Sequence, residues 1–174
     1  MADRSASPSR CQPVNTSTAS TRRAARLAAI QALYQMELTG EDAETVSEEF
    51  AAFRFGREAE TLALGEPDED FFRNLVRGVP HRQEEIDGAI TKCLASNWRL
   101  SRVDSILRAI LRCGAFELIG RADVPAKVVI DEYVELSYAF FSGDEPAFVN
   151  AALDKLAHRK RAAEFGETPP GDEF

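Results

Sequence analysis

"LSRVDSILRAILRCGAFELIG", residues 100–120, decides the fold. Val103, Ile106, Leu107, Ile110, Leu111 and Leu118 recur every three to four positions, the spacing that places side chains along one side of an α-helix. They form its core face. Ser101, with Asp104 three residues on, reads as the N-cap of this helix in a capping-box-like arrangement.

The same period continues to both sides. Upstream, a helix over Thr21–Leu38 carries the stripe Leu27, Ile30, Tyr34 and Leu38, and Gly40 is a good stop. A weaker helix over 43–60 puts Val46, Phe50 and Phe53 on one face. "LGEPDED" (64–70) is a loop, from which Asp68 or Asp70 caps a helix carrying Phe71, Phe72, Leu75, Val76 and Val79. Pro80 has no N–H and should kink or split that helix before "HRQEEIDGAITKCL" continues it. Downstream, Pro125 opens "PAKVVIDEYVELSYAFF", since proline suits the first helical position. After the turn "SGDE", Pro146 opens "PAFVNAALDKLAHRKRAA". No strand alternation with hairpin turns appears, and no internal repeat. Six or seven helices joined by mostly short loops make an all-α protein, a helical bundle.

At 174 residues, one globular domain with a real core is the default. It is expected over 21–163, between flexible tails at 1–20 and 164–174. The formal net charge is −8, so this is no generic polyanion binder; nucleic acid would have to meet a local patch. Charge is unevenly spread. Residues 1–26 hold Arg4, Arg10, Arg22, Arg23 and Arg26 against Asp3 alone, whereas 37–70 hold twelve acids against Arg54 and Arg57. Cys11, Cys93 and Cys113 are too few and too dispersed for a disulfide framework or a zinc site, which fits a reducing compartment and the cytoplasm. No apolar run approaches a membrane span, and the N-terminus lacks the apolar segment of a secretory signal.

Catalytic patterns are absent. His81 and His158 stand in no metal-ligand spacing, and there is no phosphate-binding glycine loop or nucleophile elbow. Glu84, Glu85 and Asp87, or Asp131, Glu132 and Glu135, read as solvated helix faces. Neither an enzyme nor a bound cofactor or metal is expected.

The arginines need a reason. Arg22, Arg23 and Arg26 stand at i, i+1 and i+4, within about 100° of arc on a 3.6-residue helix. Cations near a helix N-terminus are disfavoured by its partial positive charge. A docked phosphate would remove that objection, by taking charge-assisted bonds from the guanidinium forks and the free N–H groups together. A solvated basic end is the alternative.

"RRAARLAAIQALYQMELTG", "FFRNLVRGVPHRQEEID", "WRLSRVDSILRAILRCGAFEL", "DVPAKVVIDEYVELSYAF" and "FVNAALDKLA" follow one another in the order and separation of the NusB family of bacterial transcription antitermination factors. The chain resembles that family over roughly 20–160. The resemblance implies two packed three-helix bundles. It also implies a non-catalytic protein that pairs with NusE, a small-subunit ribosomal protein. Together they bind single-stranded boxA RNA and act in the RNA polymerase antitermination complex, notably on ribosomal RNA operons. By resemblance, Arg22, Arg23 and Arg26 face RNA, with Ala24 where some relatives carry another arginine. Gln31 and Tyr34 match the family's "QALY". Tyr34 either stacks on a nucleotide or belongs to the apolar stripe. Asp144 and Phe148 match the residues before and at the start of the last helix; Phe148 either stacks on a base or is buried. Asn150 reads a base edge or bonds to backbone, and Lys127 meets the RNA backbone. The NusE surface is placed on the C-terminal half, with Phe116 and Glu117. Some family members self-associate and hide the RNA face, which leaves a homodimer open. Two rival readings remain: a protein-only helical scaffold, and the N-terminal part of a ribosomal RNA cytosine methyltransferase, against which the short chain argues.

Overall fold

The structure, a computed structural model, describes residues 16–54 and 66–169. The first fifteen residues with Arg10 and Cys11, most of the acidic 54–70 stretch, the side chain of Phe53 and the last five residues lie outside it.

Seven α-helices are present among the described residues: α1 (Thr16–Thr39), α2 (Ala43–Glu49), α3 (Glu69–His81), α4 (Gln83–Cys93), α5 (Ser105–Gly120), α6 (Ala126–Ser137) and α7 (Glu145–Lys160). A π-helical turn, Phe50–Arg54, extends α2, and short 3₁₀ turns lie at Leu100–Arg102 and Ala162–Phe165. No strand occurs among these residues. α1, α2 and α3 pack together as one bundle, and α5, α6 and α7 as a second, with α4 laid across α5 and α7. α5 also lies against α1 and α3, so it is the element the two bundles share. That position explains its apolar sequence: from Leu107 to Leu118, only Arg112 escapes burial.

Local chemistry sets the boundaries. α1 begins at Thr16, before the expected start, and the Thr21 hydroxyl donates to the Thr18 carbonyl at 3.0 Å. The arginines therefore stand in the second and third turns, beyond the first turn where the dipole penalty is felt. Its stripe is buried at Leu27 and Ile30, half-buried at Tyr34 and exposed at Leu38. Asp68, not Asp70, caps α3, accepting from the Phe71 N–H at 3.1 Å. Phe71, Phe72, Leu75, Val76 and Val79 are all buried. Pro80 sits in the last turn of α3, and Arg82 carries the break into α4.

The start of α5 differs from the sequence expectation. Asp104 is the cap, its carboxylate accepting from the Ile106 and Leu107 N–H groups at 2.9 and 3.3 Å, while Ser101 lies in the preceding 3₁₀ turn. Arg108 fixes that turn by donating to the Val103 and Leu100 carbonyls at 2.8 and 3.2 Å and by pairing with Glu37 of α1. At the other end, Arg161 donates to the carbonyls of Glu117, Leu118, Arg121 and Val124, satisfying orphan acceptors where α5 stops. Pro125 occupies the N-cap of α6, and Pro146 the first turn of α7. Cys93 and Cys113 are buried free thiols.

Candidate nucleic-acid interface

The arginines of α1 do share one side of the helix, but that side faces protein as much as solvent. In projection Arg26 falls between Arg22 and Arg23, and it is the one that points inward. Its side chain is 3% exposed. Nε and Nη2 donate to the two carboxylate oxygens of Glu117 at 2.9 and 2.8 Å, and the Tyr133 hydroxyl donates to the same carboxylate. Glu132 approaches Nη1 at 3.8 Å. Burial works against the charge on Arg26, but the Glu117 bonds outweigh it and hold the guanidinium pKa above its ordinary value. Burial, with Glu117 beside it, pushes the Tyr133 phenol well up. Arg26 is thus a structural cation joining α1, α5 and α6, and the expectation that it contacts RNA is corrected. The same contacts withdraw Glu117 from the partner surface, since it is fully buried. Phe116 is withdrawn with it: its ring packs where α3 passes Gly78, so close that a Cβ there would sit 2.4 Å from the ring.

Arg23 is more open. It forms a two-bonded fork with Glu132 of α6 at 2.8 and 2.9 Å, and those bonds raise its pKa. Glu132, read from sequence as part of a solvated face, is therefore this arginine's counter-ion. Arg22 is the least committed of the three. Its nearest carboxylate oxygen, on Asp123, is 3.9 Å away, and its Nε is buried with no hydrogen-bond partner. Phe71 lies among three guanidinium groups, for which Glu117, Glu132 and Asp123 supply the opposing charge; its ring centre is 4.9 Å from Arg22, 4.9 Å from Arg26 and 4.8 Å from Arg121. Those are cation–π distances. Arg121 completes the cluster with a fork to Asp123.

Gln31 and Tyr34 are half-buried further along α1, on the side that carries Arg23, and the Gln31 Oε1 is buried without a partner. Lys127 is exposed near the start of α6. Asp144 is exposed and its side chain caps nothing. Asn150 is exposed on the first turns of α7. Phe148 is half-buried, with its ring 5.3 Å from that of Trp98, which is 50% exposed.

The structure therefore divides the expected site in two. One part is the arginine cluster at the opening of α1. The other is the start of α7. Phe148 stands thirteen residues before Arg161, which contacts the cluster's end of α5; that is about 20 Å of helix. Sequence reasoning named Glu132 and Phe71 without their roles at the cluster, and missed Arg121 and Trp98. The acids carry no local signal, because they come from helices remote in sequence. Trp98, the single tryptophan of a polar loop, was the detectable one.

No group of His, Cys, Asp and Glu among the described residues is arranged to hold a metal ion, and no helix among them is long and apolar enough to cross a membrane. Fold and surface together define an all-helical, two-bundle protein with a cationic helix opening and a separate exposed aromatic pair. The NusB family model matches residues 23–158. The chain is 56% identical over 144 residues to the transcription antitermination protein NusB of Maricaulis maris, covering 83% of this chain and 90% of that one. Against the NusB of Caulobacter vibrioides it is 53% identical over 140 residues, covering 80% and 94%. Among solved structures, Thermotoga maritima NusB superposes with a TM-score of 0.69 at 30% identity, covering 83% of this chain and 96% of that one. A structure of the antitermination factors NusB and NusE in complex with double-stranded RNA gives a TM-score of 0.60 at 26% identity, covering 79% and 96%. The chain belongs to the NusB family.

Proposed function

We propose that this chain is a non-catalytic transcription antitermination factor of the cytoplasm. It pairs with NusE, binds boxA-type RNA in single-stranded form, and takes part in the RNA polymerase antitermination complex on ribosomal RNA operons. The observation that carries the reading is the extent of the kinship: the relatives bearing that function match at over half identity along nine-tenths of their own length. The surface agrees. The Arg22 side chain is partly exposed with no carboxylate nearer than 3.9 Å, Lys127 is open to solvent, and Phe148 presents part of a ring beside exposed Asn150. Such groups suit a phosphate chain and unpaired bases. Acidity elsewhere, with a small cationic area, predicts weak binding by the chain alone and a large gain when a partner extends the surface.

The test is a titration of labelled boxA-type RNA with this protein, alone and with NusE from the same organism, at fixed salt. Binding strengthened by NusE and lost when the RNA is scrambled is the expected result. NusE association without RNA binding would overturn the RNA part of the reading and leave a protein-only scaffold.

A further inference from the structure

Most arginines among the described residues are engaged by acids. Arg23, Arg26, Arg73, Arg77, Arg82, Arg108, Arg112, Arg121 and Arg161 all have a carboxylate within bonding distance. Among the described residues Arg99, Arg102 and Arg159 do not, and all three are exposed. Two of them flank Trp98: Arg99 follows it directly, and Arg102 closes the 3₁₀ turn, its N–H donating to the Arg99 carbonyl at 2.9 Å.

The third lies on the same seam. On α7, Lys155 and Arg159 stand seven and eleven residues after Phe148, which brings both within about 20° of its direction. Both are exposed. α4, which ends at Cys93, packs against α7. Trp98 follows five residues later and meets Phe148 at 5.3 Å with the rings tilted by 37°. An exposed indole and a half-exposed phenyl ring thus adjoin the α7 face of Lys155 and Arg159, with exposed Arg99 and Arg102 just after the indole in the chain.

We propose that Trp98 and Phe148 form a base-stacking platform for single-stranded RNA, with Arg99, Arg102, Lys155 and Arg159 carrying the phosphates along the seam between α4 and α7. The inference deepens the RNA-binding reading and rests on it. Stacking suits single strands because every unpaired base has a π-face, and a cationic track beside the rings supplies the remaining affinity. The surroundings fit RNA better than an apolar protein surface. The exposed neighbours Ala95, Ser96, Asn97 and Arg99 are small, polar or cationic, and offer no apolar rim. The acids nearby also set a direction. Asp104 caps α5, and Asp154 lies 3.5 Å from His158, which pairs with it when protonated, but Asp144 and Glu145 stand before Phe148 and repel phosphate there. The strand therefore leaves the platform toward Lys155 and Arg159.

Trp98 is the protein's only tryptophan, so its emission reports the platform directly. The full chain with NusE is titrated with a short boxA-type RNA, following Trp98 emission and, in parallel, the anisotropy of a labelled copy. Quenching in step with binding is expected. W98A should weaken binding by about 5- to 150-fold, the equivalent of one lost base stack, and W98F should restore most of it. K155A/R159A should flatten the salt dependence by about 1.4 in log–log slope. Normal RNA binding with unchanged emission and an unaffected W98A would overturn the platform while sparing the RNA-binding reading. Equal quenching by a duplex, or by NusE without RNA, would also overturn it. Failure of the wild-type complex to bind RNA would overturn both.

Discussion

Glu117→Gln isolates the buried charge pair that holds α1 to α5. The side chain keeps its shape but loses its charge, and Arg26, 2% exposed, is left with only Glu132 at 3.8 Å. Breaking one partner of a buried ion pair costs about 3–5 kcal/mol, because the surviving charge remains out of water. Against a total stability of about 5–15 kcal/mol, that is a large fraction. At about 2–4 °C per kcal/mol for a chain of this size, the melting temperature should fall by about 6–20 °C. Arg26→Ala should cost a similar amount. The double variant should cost at least about 1 kcal/mol less than the sum, since the two residues act on each other. Arg23→Ala is the contrast: its fork to Glu132 is over a third exposed on the arginine side, so about 1 kcal/mol or less is expected. Urea unfolding followed by circular dichroism at 25 °C measures all four. RNA titration at a temperature where each variant is folded supplies the second readout. Arg26→Ala of near wild-type stability, but with RNA affinity lost, would refute the structural role and return Arg26 to the interface.

Three further outcomes follow from particular contacts. Arg22→Ala/Arg23→Ala should weaken RNA binding and reduce its salt slope by about 1.4, if each meets one phosphate; an unchanged slope would remove the α1 opening from the RNA path. Gly88→Ala and Gly114→Ala should have opposite signs. A methyl at Gly88 meets nothing within 4 Å and should stabilise α4 by about 0.5–1 kcal/mol, whereas at Gly114 it would lie 2.8 Å from Leu153 and destabilise by about 1–2 kcal/mol, which paired thermal melts would show. His158 bonds to Glu167 at 2.7 Å, and that bond, with Asp154 nearby, raises its pKa. A raised folded pKa gives stability that is full below the ordinary histidine value of about 6.5 and is lost as pH rises through the folded value. A histidine NMR titration should show the raised value, and Glu167→Gln should lower it.

The helices were legible because their apolar periods are local. Phe71, Leu75 and Val79 announce α3, and Leu107, Ile110, Leu111 and Leu118 announce α5, and all are buried as that spacing requires. Caps were less legible, because two candidates stood close together. Asp104 prevailed over Ser101 where Arg108 drew the intervening carbonyls into a 3₁₀ turn. The arginine arc was right in angle and wrong in surroundings. A projection down α1 groups Arg22, Arg23 and Arg26, but it holds no information on Glu117 and Glu132, which arrive from α5 and α6 and decide which arginine turns inward. Phe116 failed for the same reason: its neighbour Gly78 lies on α3. Trp98 and Phe148 were both visible as letters, but their pairing depends on how the loop after α4 returns to α7.

The helix shared by both bundles also orders events at the ribosome. The acid that neutralises Arg26 is encoded 91 residues after it. At about 5–20 residues per second, that leaves the emerging first helix without its counter-ion for about 5–18 s. During that interval the N-terminal half lacks its third wall as well as its charge partner. Arg26 is then open to any polyanion within reach until Glu117 arrives, and Arg23 waits longer still, for Glu132, 109 residues after it.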